Sequence, residues 1–181
     1  SPAEAESEQA ASRARPPRLL VMGGSQGATA INNGMIAAID ALLEAGLDIR
    51  HQTGPAAYER VRAAYREAKA ERVCVEPFIA DMPKVYAWAD LAFCRAGAST
   101  LAEITAAGLP ALLTPFPKAA QDHQRYNARF LEKEGAAVLL EQDRFTNEPG
   151  VLVDTLLGLL RDRERLTAMA KSSLSAAKPY A

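Results

Sequence analysis

The stretch RLLVMGGSQGATAINNGM, residues 18–35, decides how the chain reads. Four apolar residues, Leu19 to Met22, run directly into Gly23-Gly24-Ser25-Gln26-Gly27. A helical period follows, with Ile31, Met35, Ile39 and Leu42 recurring every three to four residues and Gly46 as the residue that ends it. Strand, glycine-rich turn and helix in this order open a βαβ unit. Glycines let a backbone come close to a ligand, and unpaired amides at a helix start favour an anion such as a diphosphate. The alternative is a tight strand-to-helix turn whose glycines serve geometry alone; the Ser25 hydroxyl, an extra donor, tips the reading toward the anion.

The same loop excludes two chemistries. No Gly-Lys-Ser/Thr closes it, so it is not a Walker loop for ATP or GTP hydrolysis. As a dinucleotide fingerprint it fails at Met22, which stands where the first glycine belongs. The second strand also ends in Gln52-Thr53-Gly54, without the acidic residue that holds an adenosine ribose. Nicotinamide chemistry is therefore not expected.

Outward from this unit the alternation continues. Short apolar runs predict strands at 18–22, 48–52, 72–76, 91–94, 111–114 and 137–140. Helical periods lie between and after them, at 28–45, 56–70, 82–89, 100–107, 123–134, 150–160 and 163–176. Parallel strands joined by right-handed helical crossovers give an α/β fold, a doubly wound Rossmann-like parallel sheet of about six strands. Residues 1–17 are small, polar and charged without an apolar period and read as a disordered leader or linker, with one domain over 18–181.

Composition narrows the function further. The 181 residues are 49% hydrophobic and carry a net charge of -1, enough to bury a core unaided and without the basic face that a nucleic-acid backbone attracts. No nucleic-acid partner is expected. Cys74 and Cys94 each sit in an apolar run and read as buried reduced thiols, which points to a reducing, cytoplasmic compartment. No apolar run reaches the length of a bilayer span, and no export signal is apparent. With only His51 and His123 as histidines, neither near a cysteine, and no Gly-x-Ser-x-Gly elbow, neither a metal site nor a hydrolase triad is expected.

Ligands of such sheets bind beyond the carboxyl ends of the strands. After the fourth strand comes RAGASTLAE, residues 95–103, a second glycine-containing loop that opens a helix. Two helix starts converging on one crevice suit a diphosphate. Thr100-x-x-Glu103 matches a capping box with Glu103 in the first turn, and Glu103 also has the chemistry to accept two ribose hydroxyls. Both readings stand. In the loop after the third strand Phe78 either stacks on a base or belongs to the core, and the backbone of Ile79 has a donor and an acceptor for a base edge. The polar cluster before residue 124 either caps the next helix or offers His123 and Gln124 to a sugar.

Taken together, GGSQGATAINN (23–33), HQTG (51–54), PFIADM (77–82), CRAGASTLAEITAAGLPALLTPFP (94–117) and DHQRYNA (122–128) resemble the donor-binding domain of the MurG family. These enzymes transfer N-acetylglucosamine from UDP-N-acetylglucosamine to an undecaprenyl-linked muramoyl-pentapeptide in peptidoglycan synthesis. The resemblance implies the carboxyl-terminal half of a two-domain GT-B fold. It implies that Ser25, with Gly24, Gln26 and Gly27 around it, holds the donor diphosphate. Phe78 would cover the uracil and Ile79 would read it by backbone bonds. Arg95, Ala98, Ser99 and Thr100 would line the diphosphate and sugar, Glu103 would take the ribose hydroxyls, and His123 and Gln124 would contact the sugar. No cofactor is implied.

On this reading the acceptor-binding half, the general base and the surface that associates peripherally with the inner membrane lie outside the chain, which would bind donor without turning it over. A sugar-nucleotide epimerase of the same fold, or a non-catalytic nucleotide-sugar binding domain, are the competing readings. Scarce acidic and imidazole side chains in these loops weigh against the epimerase.

Overall fold

A computed structural model describes residues 2–23, 29–118 and 122–177. Six strands, β1 (Arg18–Met22), β2 (Asp48–Gln52), β3 (Val73–Glu76), β4 (Leu91–Cys94), β5 (Ala111–Leu113) and β6 (Ala137–Leu139), form one sheet. Its order is β3-β2-β1-β4-β5-β6 and every pairing is parallel, as the alternation predicts. The helices are α1 (Pro2–Ala14), α2 (Thr29–Glu44), α3 (Tyr58–Glu67), α4 (Met82–Trp88), α5 (Ala98–Ala106), α6 (Asp122–Lys133), α7 (Gln142–Asn147), α8 (Pro149–Leu160) and α9 (Arg163–Ala176).

The two central strands are apolar from Leu19 to Met22 and from Leu91 to Cys94 because both of their faces are covered there. Successive side chains point to opposite faces, so Leu19 and Val21 join the layer of α2, α7 and α8. Leu20 and Met22 join the layer built from α4, α5 and α6. Gly46, at φ +77°, sits in the left-handed region just past α2, where a side chain would be strained. From β1 the sheet grows one way through β2 to β3 and the other way through β4 to β6. The crevice where ligands bind in such folds therefore opens between β1 and β4.

Four details depart from the sequence reading. Residues 2–14, expected as a disordered leader, form α1; their alanines and glutamates are strong helix formers and Pro2 suits a first position, although the described side chains are exposed. Beyond α1, Arg15 holds Asp90 through Nη1 and Nη2 at 2.8 and 2.9 Å, and the Arg18 amide donates to the same carboxylate at 2.9 Å. Helix α5 begins at Ala98 rather than at residue 100. Helix α7 appears where no period was visible. Cys94 is buried as expected, but Cys74 is exposed, because β3 is an edge strand without a full covering layer.

Candidate functional site

At the β1/β4 crevice the loops enclose a cavity of about 380 Å³. Gly23 lies on its floor, its amide donating to the Gln52 carbonyl at 3.0 Å, so the glycine loop leaves β1 tied to the end of β2. Gly24, Ser25, Gln26 and Gly27 lie outside the described residues. Phe78, Arg95, Ser99, Thr100, Glu103 and Gln124 all line this cavity. A larger one, about 440 Å³, lies at the other end of the sheet, around the residues that lead into β4 and β5, and none of the candidate donor-binding residues lines it.

Phe78 is 71% exposed, which a core phenylalanine would not be. Its neighbour Ile79 is 2% exposed. Asp81 caps α4 through a bond from the Lys84 amide, with Pro83 in the first turn, and this fixes where the loop meets the helix. The Ile79 amide is already engaged: it donates to Gln52 Oε1 at 2.9 Å. Gln52 thus holds both loops, the glycine loop by its backbone and the 77–81 loop by its side chain.

The start of α5 separates the two readings of Glu103. The helix is capped by Gly97 without a side-chain bond, and its first turn holds no acidic residue. Thr100 is the third helical residue and Glu103 the sixth. A capping box needs Thr at the cap and Glu three positions on, so that role is excluded. The Glu103 carboxylate instead receives the Tyr86 hydroxyl at 2.5 Å and is otherwise exposed at the cavity rim. Burial, followed by this bond, pushes the Tyr86 phenol well above its ordinary range.

Arg95 lines the cavity but its guanidinium turns into the protein. It donates to the carbonyls of Thr114 and Pro115, each at 3.3 Å, and to Gln142 Oε1 at 2.7 Å, and it packs over the Phe116 ring. Burial pulls its pKa down to about 10, so it stays charged at neutral pH. Gln124 Oε1 accepts from the Phe116 amide at 3.0 Å, closing the loop after β5. Ala98 opens α5 and His123 opens α6's exposed face; both are exposed and neither lines the cavity.

Behind the site, His51 is fully buried between Tyr65, 2.9 Å from Nδ1, and Asn32, whose Oδ1 lies 2.8 Å from Nε2. Asn32 Nδ2 donates to the Thr53 carbonyl, which fixes its amide and makes Nε2 the protonated imidazole nitrogen. The chain ties α2, which follows the glycine loop, to the end of β2. Among the described residues no group of three or more His, Cys, Asp or Glu side chains could hold a metal ion, and no helix is long and apolar enough to cross a membrane.

Residues 18–181 match the family model described as the glycosyltransferase family 28 C-terminal domain. The chain belongs to this family. Over 166 residues it is 52% identical to the UDP-N-acetylglucosamine--N-acetylmuramyl-(pentapeptide) pyrophosphoryl-undecaprenol N-acetylglucosamine transferase of Nitratidesulfovibrio vulgaris (strain DP4), covering 91% of this chain and 44% of that protein. The protein of that name from Solidesulfovibrio magneticus is 49% identical over 193 residues, covering all of this chain and 52% of the other. The crystal structure of Acinetobacter baumannii MurG superposes with a TM-score of 0.78 at 41% identity, over 90% of this chain and 46% of that one. The family 28 chain thus shares the parallel α/β sheet of the MurG structure and spans about half the length of these relatives.

Two residues at the site escape the sequence reading. Gln52 stands in the quoted HQTG, at the carboxyl end of a strand where such sheets bind ligands, and that position was a usable signal. Tyr86 carried none, since a tyrosine inside an apolar helical period reads as core.

Proposed function

We propose that residues 18–181 form the donor-binding domain of an inverting N-acetylglucosaminyltransferase that takes UDP-N-acetylglucosamine. The carrying observation is the pairing, across one cavity, of an exposed Phe78 with a Glu103 carboxylate that does not cap its helix. An aromatic face and a carboxylate are what a base and its ribose require. The start of α5, with the Ser99 and Thr100 hydroxyls, offers dipoles and donors to a diphosphate, and Ser25 and its glycines would meet it from the other side. Ile79 would give its amide to the uracil, which means that a base carbonyl takes the place Gln52 Oε1 holds in the free chain.

In the transfer reaction the C4 hydroxyl of an undecaprenyl-linked muramoyl sugar would attack the anomeric carbon while UDP departs. This domain's share is to hold the donor in line and to stabilise the leaving diphosphate by fixed amide dipoles, without a covalent intermediate. The acceptor, the general base and a peripheral contact with the cytoplasmic face of the inner membrane would belong to the other half of the enzyme.

Calorimetric titration with UDP-N-acetylglucosamine, UDP, ADP and NAD tests the reading. The uridine nucleotides should bind and the adenine nucleotides should not; equal binding of ADP would refute uracil recognition.

A further inference from the structure

We propose that Tyr86 is a positioning residue for the nucleotide: its hydroxyl holds the Glu103 carboxylate in the orientation that receives the two ribose hydroxyls. The inference rests on the reading of Glu103 given above. Tyr86 comes from α4 and Glu103 from α5, so the bond crosses two elements. The ring is 6% exposed and belongs to the apolar layer with Leu20, Val85 and Leu101, which locks its direction. Glu103 is exposed, and Tyr86 is its only hydrogen-bond partner among the described residues.

A glutamate in that setting, left alone, would sample several rotamers and lose that freedom on binding a ligand. Tyr86 removes most of it in the free chain. An ionised carboxylate has about four acceptor positions and the phenol takes one on Oε2, leaving Oε1 and the rest of Oε2 for a cis-diol. At 2.5 Å the bond has the length of a hydroxyl donating to a carboxylate.

A buried phenol also needs a partner for its own sake, and the test must separate that from positioning. UDP and 2',3'-dideoxy-UDP would be titrated against the wild type, Tyr86→Phe, Glu103→Gln and the double variant. Positioning predicts that Tyr86→Phe weakens UDP about fivefold, leaves dideoxy-UDP unchanged, and adds nothing once Glu103→Gln is present. Glu103→Asp, which keeps the charge but withdraws it from the phenol, should lose as much UDP affinity as Glu103→Gln. This variant also carries the test if Tyr86→Phe folds poorly.

Wild-type UDP affinity in Tyr86→Phe or in Glu103→Asp, or equal loss for both ligands in Tyr86→Phe, would overturn the proposal while leaving a weakened Glu103→Gln, and so the ribose reading, intact. No effect of Glu103→Gln on UDP would remove the ribose reading and the proposal with it.

Discussion

Phe78 and Ile79 are adjacent yet meet opposite surroundings, 71% and 2% exposed, where the chain bends out of β3. Burial of Ile79 anchors the loop and leaves Phe78 as a free face over the cavity. Phe78→Ala should therefore weaken UDP by about 1 to 3 kcal/mol, the usual scale of base stacking, while the thermal midpoint barely moves. Calorimetry beside a melting curve checks both halves. His51 gives a pH dependence of stability. Burial lowers its pKa to about 3, against an ordinary value near 6.5, so between those values the unfolded chain binds a proton the folded chain refuses. Its contribution is complete above about pH 6.5 and is lost as the pH falls toward 3, by up to about 1.4 kcal/mol per pH unit. Urea midpoints measured across that range should show the slope, and a His51→Gln variant should be less stable at neutral pH but flatter below it.

At the level of elements, the strands were legible because parallel strands covered on both faces are continuous apolar runs, as in Leu19–Met22 and Leu91–Cys94. Helix α1 was not, since it has no apolar face and forms on propensity alone. The start of α5 was misplaced by two residues because Thr100 and Glu103 have capping-box spacing while the actual cap, Gly97, contributes no side chain. That shift moves Glu103 from a structural place to the cavity rim. The lining of the candidate cavity was legible where a loop motif carries it, at Phe78, Ser99, Thr100, Glu103 and Gln124. It was not legible where a side chain's direction decides, as for Arg95. That residue joins the loops after β4 and β5 to α7. Arg95→Met should cost roughly 2 kcal/mol of stability in urea unfolding, because buried carbonyls lose a charged donor. Lysine should recover only part of it, lacking the planar fork that reaches several acceptors at once.

For the whole molecule, the sheet order places one switch point, and two loops and the start of α5 converge there. The chain spans about half of its relatives' length, and under the proposed function the acceptor and the general base would belong to the other half. Mixed with UDP-N-acetylglucosamine and a lipid-linked muramoyl-pentapeptide, it should bind the donor and form no product, as followed by radiolabel transfer. The most direct test of the central claim is a crystal structure of this chain with UDP. The uracil should lie against Phe78 with its carbonyl on the Ile79 amide, the ribose hydroxyls on Glu103, and the diphosphate between the glycine loop and the start of α5. UDP lodged instead at the opposite end of the sheet, beside Asp90 and Arg163, or bound at the crevice without touching Phe78 and Glu103, would contradict it.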